Sequence, residues 1–298
     1  MRHTDGQTDH DLKNILLEAW LTRQANFSDT IEFNTPSRTL SVSVTGSSCA
    51  LNCSHCAGVY LRAMVSLDQA LGSSKDPERN ETSYLVSGGS DRQGRVPLME
   101  NINKLRQLAK QGPLNLHTGL VTDQEARLLA EVATVVSFDL VGDDETISAV
   151  YGLPVTVEDY IQSYRTLQKY TRVIPHLCIG LNGGKITGEY ETLHLLRKEK
   201  VDAISMIIFR PTAETPFSNC LPPAPGQVAR FMASARLMFP RTPLYLGCMR
   251  PGGRYREIID LYALQAGFNK IVMPAPAARR EAVRKGLSVS ISEECCSL

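Results

Sequence analysis

Short alternating apolar stretches, each followed by a stretch with helical spacing, recur from residue 40 to residue 285. That alternation commits the chain to parallel strands joined by helices. The strands read from it cover 40–46, 83–87, 114–119, 135–140, 173–179, 203–209, 243–246 and 270–273. Helices fall at 101–110, 123–133, 157–169, 190–200, 227–238, 255–266 and 277–285. About eight β/α units in 298 residues predict a (β/α)8 TIM-type barrel, with a doubly wound open sheet as the alternative. Residues 11–26 add one more helical pattern, with Leu12, Ile15, Leu16, Ala19 and Trp20 on one face. The expected organisation is an N-terminal helical extension, 1–36, and one barrel domain with a C-terminal tail, 37–298.

Either architecture gathers ligands at the C-terminal ends of its strands, where Cys49, Gly88, His117, Asp139, Cys178 and Cys248 are expected. The densest chemistry is the run Cys49-Ala-Leu-Asn-Cys53-Ser-His-Cys56 behind the first predicted strand. Three thiolates can hold three irons of a [4Fe–4S] cube and leave the fourth open to a small-molecule ligand. The plainer reading is structural zinc, but zinc sites usually recruit a second close ligand pair. Here the next cysteine is Cys178, and a tight pair returns only at Cys295-Cys296. His55, lying between Cys53 and Cys56, would strain so compact a loop as a fourth ligand. A disulfide needs an oxidising compartment, which nothing in the sequence marks.

The cysteine spacing is that of the radical S-adenosylmethionine (SAM) enzymes, which the chain resembles. The resemblance implies a radical SAM barrel and a [4Fe–4S] cluster on Cys49, Cys53 and Cys56 whose open iron is chelated by SAM. In that family a Gly-Gly-Glu follows the second strand and meets the amino group of SAM. Here Ser87-Gly88-Gly89 occupies the place, with Ser90 at the Glu position and Asp91 next. Glycine lets the backbone approach a ligand closely. Asp139 is a candidate for the ribose hydroxyls of SAM or for the substrate. Asp143, Asp144 and Glu145 read equally as part of that site or as a solvated acidic loop. His117 reads as a satisfied buried histidine. Gly183 and Gly184, after the fifth predicted strand, permit close approach to ribose or adenine.

Five cysteines remain. Cys178 in Leu-Cys-Ile suits a small core residue, and Cys220 is undecided. Cys248 at a strand end and Cys295-Cys296 in a polar tail suit that role poorly. Residues 172–275 resemble the biotin synthase-like radical SAM proteins through Cys178, Gly183, Gly184, the segment 211–216, Arg250 and Ala266-Gly267. In biotin synthase the counterparts help hold an auxiliary iron–sulfur cluster. Nearer still, Leu246-Gly-Cys-Met-Arg-Pro251 and Glu294-Cys-Cys-Ser-Leu298 resemble the two-component lipoyl synthase of archaea and some anaerobic bacteria.

That resemblance implies a sulfurtransferase that inserts sulfur into octanoyl-lysine, using a 5′-deoxyadenosyl radical and a sacrificial second cluster. Cys248, Cys295 and Cys296, with Cys220 or an oxygen ligand, become candidates for that cluster. The implied partners are a lipoyl-domain or glycine-cleavage-type carrier protein, a second radical SAM subunit, and a ferredoxin- or flavodoxin-type electron donor. The alternative is a one-cluster biotin synthase-like enzyme that abstracts hydrogen or rearranges a carbon skeleton. A non-catalytic iron–sulfur or zinc protein is a third reading. The net charge of +1 gives no field favouring nucleic acid or an anionic membrane. No apolar run has the length of a membrane span, and residues 1–10 lack a signal-peptide core. Eight cysteines then point to a reducing cytoplasm and to metal ligation.

Overall fold

The computed structural model describes residues 4–72 and 80–298. Its strands are β1 (Thr30–Asn34), β2 (Thr39–Ser43), β3 (Val65–Ser66), β4 (Ser83–Ser87), β5 (Leu114–His117), β6 (Val135–Asp139), β7 (Val173–Ile179), β8 (Ile204–Ile208), β9 (Leu244–Leu246), β10 (Lys270–Val272) and β11 (Ser288–Ser292). The helices are α1 (Thr4–Asn26), α2 (Leu67–Gly72), α3 (Ile102–Ala109), α4 (Asp123–Leu129), α5 (Asp144–Thr146), α6 (Val157–Gln168), α7 (Glu189–Leu196), α8 (Pro225–Met238), α9 (Gly253–Gln265) and α10 (Pro276–Arg284).

All strand pairs are parallel, in the order β11-β1-β10-β9-β8-β7-β6-β5-β4-β2-β3. From β4 to β10 the sheet is wound in one direction, without the reversal of a doubly wound fold, so that alternative falls. The sheet curls without forming the closed eight-stranded ring: β11 and β3 are its edges, and it counts 11 strands among the described residues. Two of the additional strands, β1 and β11, pair along their full lengths. β1 falls inside the stretch read as a helical extension, yet it is a member of the sheet between β10 and β11.

Val86, Leu116, Val136, Phe138, Leu177, Met206 and Ile208 pack in the main core with the helices, which is why these strands are apolar on that face. The other face is mixed. Asp139, His176, Ser205, Tyr245, Lys270 and Glu32 stand in one register row across β6, β7, β8, β9, β10 and β1. A small separate cluster of Val135, Ile174 and Ala203, with Tyr245 and Leu298, closes this inner face near the strand starts.

α1 buries Leu12, Leu16 and Ala19, spaced four and three residues apart, and packs on α8 and α9. No described helix is long and apolar enough to cross a membrane.

Candidate active site

The chain leaves β2 at Ser43 and turns through Thr45 and Gly46 into the cysteine loop. Ser43 Oγ donates to Gly46 O at 2.7 Å, and Thr45 Oγ1 donates to Ser48 O at 2.9 Å, fixing the turn. The neighbouring β4 ends in Ser87-Gly88-Gly89, which lies directly against this loop. Gly89 N donates to Thr45 Oγ1 at 2.7 Å, and Ala50 N donates to Ser90 O at 2.9 Å. A Cβ on Gly89 would stand 2.0 Å from Ser48 O and 2.5 Å from Cys49 Cα. The glycine is thus required by close approach of two backbones.

Within the loop, Cys56 N and Ala57 N both turn back to Cys53 O, at 3.1 and 2.8 Å. The Cys53 thiol donates to Cys56 and so pulls the Cys56 thiol down to about 4, against burial, with His55 and the Gly58 backbone helping. Cys53 moves the opposite way, through the same hydrogen bond and its burial. The hydrogen bond thus favours the thiolate at Cys56, and thiolates are the form that binds metal. The buried His55 Nδ1 has no hydrogen-bond partner, and its ring meets Tyr151 edge-on at 5.7 Å. No three His, Cys, Asp or Glu side chains among the described residues form a site for one metal ion. Cluster ligands differ, because each thiolate takes its own iron. The soft donor set and the glycine-backed loop fit a [4Fe–4S] cluster at Cys49, Cys53 and Cys56.

A second loop covers the first. Phe217 N donates to Ser54 O at 3.1 Å, and Tyr60 and Thr212 join their hydroxyls. Arg62 holds Glu214 at 3.0 Å on the surface. Gly183 and Gly184 pack under this loop: a Cβ on Gly184 would meet Leu221 O at 1.9 Å, and one on Gly183 would lie 3.3 Å from Cys220 Sγ. The structure places Gly184 against protein backbone and Gly183 against the Cys220 and Phe217 side chains.

Asp139 is exposed at the end of β6 and is the charge that His117, His176, Tyr151, Tyr160 and Cys178 all feel. The two imidazoles face each other with ring centroids 5.6 Å apart. Burial pushes His117 down to about 4, opposed by Asp139 and reinforced by His176. Burial moves His176 the same way, and its Nδ1 lies 3.1 Å from Ile174 O. Cys178 is pushed well up, first by burial and then by Asp139 and Glu189. The pattern makes two neutral histidines beside one carboxylate, a pole that sequence spacing does not reveal because its members come from three strands. Asp143 is a helix cap instead: its carboxylate accepts from Thr146 N at 2.7 Å. Asp144 accepts from Val157 N at 2.7 Å.

The remaining cysteines also come together. The tail, expected to be polar, packs into the fold, with Cys295, Cys296 and Ser297 buried. Cys295 and Cys296 pack on Val272. Cys248 lies beyond β9 beside the end of β10, and Arg256 reaches both Cys248 O at 3.4 Å and Met273 O at 3.3 Å. Cys248 is exposed to solvent yet crowded by protein; burial, then the Cys295 charge, pushes its thiol up. Arg250 is fully occupied: its guanidinium pairs with Asp260 at 2.8 and 3.1 Å and donates to Gly247 O and Val272 O. It braces the strand ends rather than pointing free into the site.

Fold and cysteine loop together define a class by shape, a curled, parallel α/β half-barrel with a three-cysteine loop after β2. No family model matches the chain, and no curated protein does. Among solved structures it is similar to methylornithine synthase (PylB), at 14% identity and TM-score 0.65 over 97% of this chain and 91% of the other. It is also similar to the FeFe-hydrogenase maturase HydG from Carboxydothermus hydrogenoformans, at 14% identity and TM-score 0.69 over 93% and 71%. At such identity the likeness is one of fold.

Proposed function

We propose that the chain is a radical SAM sulfurtransferase, a component of a two-subunit lipoyl synthase that inserts sulfur into octanoyl-lysine of a carrier protein. One observation carries the reading: two separate groups of cysteines share one barrel, Cys49, Cys53 and Cys56 on the β2 loop and Cys248, Cys295 and Cys296 around Val272. The fold shared with methylornithine synthase and HydG supports the radical SAM half of it. When bound, the first cluster would supply the electron that splits SAM into methionine and a 5′-deoxyadenosyl radical; the second would supply the sulfide that replaces the abstracted hydrogen, its iron taking up the electron released as the carbon–sulfur bond forms. In this reading Gly88 and Gly89 offer backbone to the amino group of SAM, and Asp139 accepts from its ribose or holds the substrate. Cys248, Cys295 and Cys296 hold the second cluster, with Cys220 or an oxygen as the remaining ligand. A second radical SAM subunit and a ferredoxin- or flavodoxin-type donor complete the system, in the cytoplasm.

Anaerobic reconstitution should yield about eight irons per chain, as two [4Fe–4S] clusters. Incubation with an octanoylated carrier peptide, SAM and reductant, with and without the partner subunit, should add the mass of sulfur to the peptide. About four irons and no thiolated peptide would remove the sulfur donor from the scheme.

A second reading draws on the polar inner row of Asp139, His176 and Ser205, which suits a polar substrate better than an octanoyl chain. It makes the protein a one-cluster enzyme that abstracts hydrogen or rearranges a carbon skeleton. Replacing Cys295 and Cys296 by Ser would then leave turnover intact.

A further inference from the structure

Residues 293–298 leave β11 and run along the inner face of the sheet. Their anchors come from six elements or their flanks. The Glu294 carboxylate accepts from the hydroxyls of Thr39, Thr82 and Ser83, at the start of β2 and β4. Asn34 Nδ2 donates to Glu294 O at 2.6 Å, and Cys295 N donates to Thr39 Oγ1 at 2.7 Å. On the opposite wall Lys270 Nζ donates to Cys296 O at 2.9 Å while it pairs with Glu32 at 3.0 Å. Tyr245 lies under the same ammonium, 4.7 Å away. Asn115 Nδ2 donates to Cys295 Sγ at 3.2 Å, and Ser137 ties Asn115 to Ser297.

These contacts cost ordering entropy, and they order a segment whose only reactive groups are two thiols. Three hydroxyls converging on one partly buried carboxylate is a specific, charge-assisted arrangement. A buried lysine aimed at the carbonyl between Cys296 and Ser297 is another. Both hold the segment through groups flanking the thiols, with the Lys270 ammonium close enough for its charge to act on both sulfurs.

We infer that Glu294 and Lys270 are positioning residues, which seat residues 293–298 inside the barrel and hold Cys295 and Cys296 against Val272 before any metal is bound. The inference rests on the two-cluster reading for its purpose, but the seating itself is testable in metal-free protein.

The test is anaerobic alkylation of the metal-free full-length chain with iodoacetamide, with the rate at each cysteine read by peptide mass mapping. In Glu294→Ala and in Lys270→Met, Cys295 and Cys296 should alkylate about tenfold faster than in the unaltered protein, because the segment opens locally. Cys178, on β7 away from the tail, should keep its rate and so reports that the barrel is intact. If it too accelerates, the gentler pair Thr82→Val and Ser83→Ala, which removes only hydroxyls, decides in the same assay. Rates at Cys295 and Cys296 that stay within about twofold in the intact variants overturn the positioning role. Iron content separates the two ideas. A reconstituted unaltered protein with about four irons removes the two-cluster reading, and the alkylation rates still decide whether the tail is seated by Glu294 and Lys270.

Discussion

Gly89 carries more of the site than its size suggests. Its Cα stands where the cysteine loop folds back on β4, and any Cβ there would collide with Ser48 O and Cys49 Cα. Gly89→Ala should therefore displace Cys49 while leaving the sheet in place. The expected outcome is loss of about four irons per chain after reconstitution, with an unchanged far-UV circular dichroism spectrum. Arg250 shows the limit of reading single residues from a pattern. The motif around it points to a role at a second cluster, but its charge is consumed by Asp260, which also caps Ala275 N at 2.8 Å. Both side chains are fully buried, so breaking the pair leaves an uncompensated charge. Asp260→Asn should cost about 3 kcal/mol in urea unfolding, and Arg250→Met combined with Asp260→Leu should recover most of it.

At the scale of elements, the crossover pattern is readable because burial on both faces makes strands apolar and helical periodicity marks what lies between them. The stretch 173–179 has the same bounds in sequence and structure as β7, and α6 and α8 nearly so. What escapes are β1 and β11, whose residues alternate with Glu, Asn and Ser and whose pairing spans more than two hundred residues. No local pattern announces such a partner. The same holds for the tail, which reads only as polar, whereas three hydroxyls from β2 and β4 and their flank claim Glu294. The cysteine triad is legible because its spacing is local; the grouping of Cys248 with Cys295 and Cys296 is not local, and only resemblance points to it. α4 offers a clean check of a locally encoded element. Thr122 and Glu125 form a reciprocal capping box there, so Thr122→Ala should lower stability by about 1 kcal/mol in denaturant titrations.

For the whole molecule, acid sensitivity follows from the inner histidines. His117 is held at about 4 in the fold, below the ordinary imidazole value near 6.5. Between those values the unfolded chain binds a proton that the folded chain refuses. Stability should therefore fall as pH drops from about 6.5 to about 4, and stay level above that window for this group. Thermal melts across the window should show a shallower pH dependence in His117→Asn than in the unaltered protein.

The sole tryptophan, Trp20 on α1, lies under Lys285 just after α10, with the ammonium 3.8 Å from its ring. The two residues are separated by nearly the whole described chain, as are Thr30 and Ser288 in the β1–β11 ladder. Contacts of such long sequence separation are the slowest to find each other, because a large loop must close before they are rewarded. In stopped-flow refolding, Trp20 fluorescence should reach its native value after far-UV circular dichroism has recovered most of its signal; coincident traces would mean that the β1–β11 seam forms with the rest of the sheet. One indole thus serves as a built-in clock, timing the moment at which the first and last strands of the chain become neighbours at one edge of the sheet.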